Sequence, residues 1–218
     1  MDRLEVRPES PTRLALVAAL VIGAGGCFHS YVQVGDDDAD ASTEVDGEVE
    51  AASDHGASGC VDGWYDPTTG LCWENSSPSF WSTWDDALTY CDGLVVGESD
   101  DWHLPTVTEL RSLIRGCAAT ETGGACRADD TCRNRSCWTE ACNGCPELSG
   151  PGDGGVYWPP GVRGTRSSWL YWSSLLCADC DLWPEPVTFA WYVDSGCGSV
   201  GVYTRSHTSA VRCVRPGP

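Results

Sequence analysis

Asp101-Trp102-His103-Leu104-Pro105-Thr106-Val107-Thr108-Glu109-Leu110-Arg111-Ser112-Leu113-Ile114 is an extended run that turns into a helix. Thr106 and Glu109 stand three apart, the spacing of a capping box, and Pro105 blocks helix upstream. Val107, Leu110, Leu113 and Ile114 then share one face, which predicts a buried helix. Upstream, Ser82-Thr83 precede Trp84, Ala87, Leu88 and Cys91, apolar at helical spacing and closed by Gly93. That is a second, two-turn amphipathic helix with an N-cap and a glycine stop.

The flanks read as strands and loops. In Gly59-Cys60 to Leu71-Cys72-Trp73, two aromatic runs surround Asp66-Pro67-Thr68-Thr69-Gly70, which predicts a β-hairpin with Cys60 and Cys72 placed to staple it. Cys117, Cys126, Cys132, Cys137, Cys142 and Cys145 lie among Gly, Asp, Asn and Arg with few apolar residues. Such a stretch is held by covalent bonds because it cannot build its own core, and three local bridges are expected. From Gly150 onward short aromatic runs alternate with turns: 156–158, 169–172, 189–193, 199–203 and 210–215 predict antiparallel strands. No repeat of fixed period is visible.

The N-terminal part has a different character. Arg3, Arg7 and Arg13 precede the apolar run Leu14 to Ile22, and Gly23-Ala24-Gly25-Gly26 lead to Cys27. A positive start, a short apolar run and small residues describe a secretory signal peptide, here 1–27. The run falls short of the roughly 20 apolar residues of a spanning helix. Ala24-Gly25-Gly26-Cys27 is similar to a bacterial lipobox, which implies acylation of Cys27 and anchoring in membrane lipid. Phe28 follows rather than Asp, which favours the outer membrane. Residues 28–58 hold nine acids and no base, the composition of a disordered acidic tether. Residues 59–218 form the single globular domain.

The net charge is −19, and 20 carboxylates against 10 arginines fall within 59–218. All 13 bases are Arg. No basic stripe points to nucleic acid, and without lysine neither Schiff-base chemistry nor a P-loop is open to the chain. Export puts the 14 cysteines in an oxidising compartment. With Cys27 acylated an odd number remains, and Cys177, Cys180 and Cys197 form the odd trio.

Gly70 to Trp73, Trp84 to Ala87, Tyr90-Cys91, the Asp101–Thr106 block with Glu109-Leu110, Tyr171 to Ser174, Ala190 to Val193 and Val211 to Arg215 together carry a likeness. They span nearly all of 59–218, which resembles the C-terminal domain family of the Legionella collagen-like adhesin. One departure is His103, where the family usually has Arg. The resemblance implies an α+β, C-type-lectin-like domain, with two helices packed on a twisted antiparallel sheet and long disulfide-stapled loops. It also implies a Cys91–Cys213 bridge between the first helix and the last strand, which suits a core shared by both. The adhesin relatives bind sulfated polysaccharides, a ligand at odds with an acidic domain.

Cys142-x-x-Cys145 and Cys177-x-x-Cys180 have zinc-like inner spacing, but the gap between the pairs is too long for a ribbon and export favours disulfides. Calcium lectins of the implied fold need Asn ligands; this chain offers Glu185-Pro186-Val187 and Trp191 to Asp194, without them. His103 and His207 stand beside no nucleophile signature. No metal, cofactor or catalytic residue is therefore assigned. Trp158, Trp169, Trp183 and Tyr203, with Arg163, Arg166 and Arg205, are the candidate face for a glycan or surface protein. The expectation is a non-enzymatic binding module on an outer-membrane or surface-anchored lipoprotein. A structural envelope lipoprotein without a small ligand is the alternative.

Overall fold

The computed structural model describes residues 60, 63–75, 81–145, 149–162, 170–180 and 187–218. The signal peptide, Cys27 and the acidic tether lie outside the described residues. The domain is α+β with six disulfides. β1 (Gly63–Asp66) and β2 (Leu71–Glu74) form the expected hairpin, and β2 pairs antiparallel with β8 (Val214–Pro216). At its turn the Asp66 carboxylate accepts from the Thr68 amide and the Thr69 hydroxyl, and Gly70 takes φ +73°, a conformation that favours glycine.

The second sheet has the order β3-β7-β4-β5-β6, formed by Trp81–Ser82, Ser209–Ala210, Leu170–Leu176, Phe189–Asp194 and Val200–Thr204 respectively. Its pairings are antiparallel except for one parallel bridge, Tyr171 with Ala210. The expectation of a single antiparallel sheet is thereby corrected to two sheets, the smaller antiparallel and the larger mixed. The reason lies in residues 210–215. They do not form one strand: Ala210 pairs in the larger sheet and Val214 in the smaller, and the chain crosses between them at Val211-Arg212-Cys213.

Alternation along β4 and β5 puts the helices on opposite faces of the larger sheet. Tyr171, Trp191 and Val193 join Val107, Leu110, Leu113 and Ile114 of the α2 region (helix Val107–Ser112). Trp172 and Ala190 join Trp84, Ala87 and Cys91 of α1 (Trp84–Asp92). Successive strand residues face opposite sides, so both faces are buried. The capping box is present: Thr106 Oγ1 accepts from the Glu109 amide, and Glu109 returns a bond to the Thr106 amide. Gly93 ends α1 with φ −94°, without the left-handed cap its position suggested.

Val156 to Trp158 do not form a strand. Tyr157 and Trp158 are both buried, so there is no alternation, and glycine-rich turns at 150–155 bend the segment between Arg115 and Ser195. The bridges follow expectation where pairs were named: Cys60–Cys72 and Cys91–Cys213 are both formed. The loop cysteines make three local bridges, Cys117–Cys145, Cys126–Cys142 and Cys132–Cys137. Of the odd trio, Cys177 bonds Cys180, and Cys197 is the buried cysteine outside the six bridges.

Replacing both Cys91 and Cys213 with Ser releases a long loop and should cost roughly 2–5 kcal/mol. The urea midpoint is expected to fall well below that of the parent domain; an unchanged midpoint would contradict the role given to this bridge.

Candidate functional site

The turn from β6 to β7 gathers a group of side chains that face solvent at least in part. Tyr203, at the end of β6, is 37% exposed, and its ring centroid lies 4.0 Å from that of His207 at a 30° tilt. A tight turn makes this stack, because the His207 amide bonds the Thr204 carbonyl. Arg205, between them, reaches across to the start of α1. Its Nε and Nη2 donate to the two Asp85 oxygens at 3.1 and 2.8 Å, and its guanidinium lies 5.8 Å from the Trp84 ring centre. The Trp84 amide bonds the Arg205 carbonyl, so backbone and side chain both fix the turn against the helix. Burial lowers the His207 pKa, since it disfavours the charged imidazolium. Trp81, also exposed, sits on β3, the antiparallel partner of the strand that leaves this turn.

Of the residues singled out in the sequence, Tyr203 and Arg205 meet here. Trp158 does not: it is 1% exposed, with its ring 4.3 Å from Tyr171 and the Arg212 guanidinium over it at 5.2 Å. A ring this deeply buried offers no stacking platform, so Trp158 is reassigned to the core. Trp169, Trp183, Arg163 and Arg166 lie outside the described residues, as do Glu185 and Pro186. His207, Asp85 and Trp84 were not singled out for this face. Tyr203 and His207 stand four apart across a polar turn, but only the fold brings Asp85 to them from 120 residues away.

Other places offer less. A groove of about 430 Å³ runs beside Thr68, Leu71, Glu109, Arg115 and Glu121. Its charged groups are engaged: Glu109 with Thr106 and His103, Arg115 with Asp66, and Glu121 with the Gly116 amide. The Cys177, Cys180 and Asp179 donor atoms lie within 4.8 Å of one another, yet the two sulfurs are bonded together and are not thiolate ligands. Both Cys142 and Cys145 are likewise in disulfides. Asp194 is buried and accepts from the Gly196 amide.

The blocks of sequence that seemed unrelated are in contact. His103 exchanges two backbone bonds with Val214, an isolated bridge that sets this stretch beside β8. The Ser174 amide donates to the Pro105 carbonyl, and the Ser173 carbonyl accepts Trp84 Nε1. The family model of the Lcl C-terminal domain matches residues 63–215 of this arrangement. The chain belongs to the Lcl C-terminal domain family. No curated protein matches the chain. In this Lcl C-terminal domain, His103 Nε2 stands 3.2 Å from both Glu109 oxygens.

The Glu109 hydrogen bond raises the His103 pKa, outweighing burial. Burial pushes the Glu109 carboxyl up, but the bonds from His103 and Thr106 together hold it below its ordinary value. A histidine raised on folding adds stability that is complete below its unfolded pKa of about 6.5 and is lost as pH rises through the folded value. The urea midpoint is therefore expected to drop between pH 6 and pH 8 more in the parent than in His103→Gln. Equal slopes in the two proteins would show that the pair is not coupled to folding.

Proposed function

We propose that this protein is a lipid-anchored module of the bacterial outer envelope, without enzymatic activity, that binds a glycan through the β6–β7 turn. The observation that carries the reading is the solvent-facing Tyr203–His207 stack beside the Arg205–Asp85 pair. Flat rings accept the apolar face of a sugar at low entropic cost, and a paired guanidinium and carboxylate offer donors and acceptors for hydroxyls. Membership of the Lcl C-terminal domain family supports an adhesive role, and the acidic stretch 28–58 is the composition of a spacer. The contact of the N-terminal hairpin with β8, together with the Cys91–Cys213 bridge, supports a C-type-lectin-like relationship for the fold.

Two measurements test the reading. Full-length protein is expected to bind at least one polysaccharide on a glycan array or from isolated envelope, and silence across both would overturn the binding role in favour of a structural one. Intact mass of the membrane-extracted protein should show Cys27 as the first residue with acyl chains attached. Cys27→Ser should move the protein to the soluble fraction, since anchoring rests on several acyl chains together; retention in the membrane would refute the lipid anchor.

A further inference from the structure

We infer that the β6–β7 face takes an uncharged sugar ring with adjacent hydroxyls, not a sulfated polysaccharide; this rests on the glycan reading of the same face. Arg205 is the guanidinium on the turn, and Asp85 already holds it through two parallel hydrogen bonds. Asp86, also exposed, follows in the first turn of α1, where its carboxylate accepts the Thr83 hydroxyl. A sulfate would have to share Arg205 with the Asp85 carboxylate and sit beside it, in a domain with 20 acids against 10 arginines. Adding a second anion to one guanidinium in that setting gains little.

The same geometry suits a neutral ring. Bonding to Asp85 uses Nε and Nη2, and no described residue accepts from Nη1. Each Asp85 oxygen takes one bond from Arg205 and has further lone pairs. A donor and an acceptor thus stand side by side, matching adjacent hydroxyls that each both donate and accept. On the same turn as Arg205 the Tyr203 and His207 rings, inclined by 30°, supply an aromatic surface for the sugar's C–H face.

The test is saturation-transfer NMR on full-length protein in a sugar-free zwitterionic detergent. The probes are neutral galacto-, gluco- and manno-oligosaccharides and the O-sulfated forms of the same chains. At least one neutral chain should receive saturation on the contiguous C–H groups of one ring face, with its sulfated form weaker. Tyr203→Ala should weaken that binding about tenfold, the scale of one lost ring contact, and Tyr203→Phe should retain it. Intact mass with all disulfides formed confirms that the variants fold. Stronger binding of the sulfated forms would overturn the inference and leave the glycan reading standing. Neutral binding that survives Tyr203→Ala would overturn the assignment to this face. No saturation of any chain, neutral or sulfated, would remove the inference and the glycan reading together.

Discussion

The Arg212 guanidinium lies in the interior, with the faces of Trp158 and Tyr171 over it and Nη1 donating to the Glu74 carbonyl. This is where the chain leaves the larger sheet for the smaller. Next to it, Cys213 bonds Glu74 twice: its amide donates to the Glu74 carboxylate and its carbonyl accepts the Glu74 amide. Glu74 also accepts the Tyr90 hydroxyl of α1, and Cys213 is bonded to Cys91 on the same helix. A charged side chain in a core is costly unless its hydrogen bonds are made. Here that charge stands at the one crossing that ties both sheets and α1 together, so the sheets cannot shift without exposing it.

A second arginine performs a comparable task for the disulfide-rich loop. Arg111, buried on α2, directs its fork to the carbonyls of Thr120, Ala128 and Glu121 at 2.6–2.8 Å. Burial lowers its pKa, and the nearby Asp129 carboxylate opposes that shift. The loop then packs on the sheet through tryptophan N–H groups: Trp138 donates to Val200, and Trp191 to Arg133. At Gly144 a Cβ would stand 2.3 Å from the Cys197 carbonyl oxygen, which leaves room only for glycine where the loop meets the strand connection. Three disulfides alone would close the loop; the arginine and the indoles determine where it lies.

Local rules carried much of this fold. The capping box, the helical stripes and the hairpin turn were legible because each depends on residues a few places apart. Cys60–Cys72 followed from the hairpin, and Cys91–Cys213 from the family likeness. The splitting of 210–215 was not legible, since a run of apolar and Arg residues has the same pattern whether it stays in one sheet or crosses to another. Trp158 illustrates the opposite difficulty. A tryptophan in a Gly/Pro-rich stretch resembles a surface ligand contact, and only the folded structure shows it buried against Tyr171 and Arg212. At the candidate site Tyr203 and Arg205 could be named from composition, but Asp85 could not, because the helix that carries it is distant in sequence.

The hairpin staple has a mechanical consequence. Cys60 precedes β1, while its partner Cys72 lies within β2, the strand paired with β8. Tension arriving from the N-terminal side at residue 60 therefore passes through the sulfur bridge directly into β2. β1 lies off the load path and cannot be unzipped one hydrogen bond at a time. The force meets the β2–β8 ladder and then, at Cys213, the second bridge to α1. Pulled from that side, the domain has no weak first strand to lose, and a covalent link stands behind the first pair of strands that must yield.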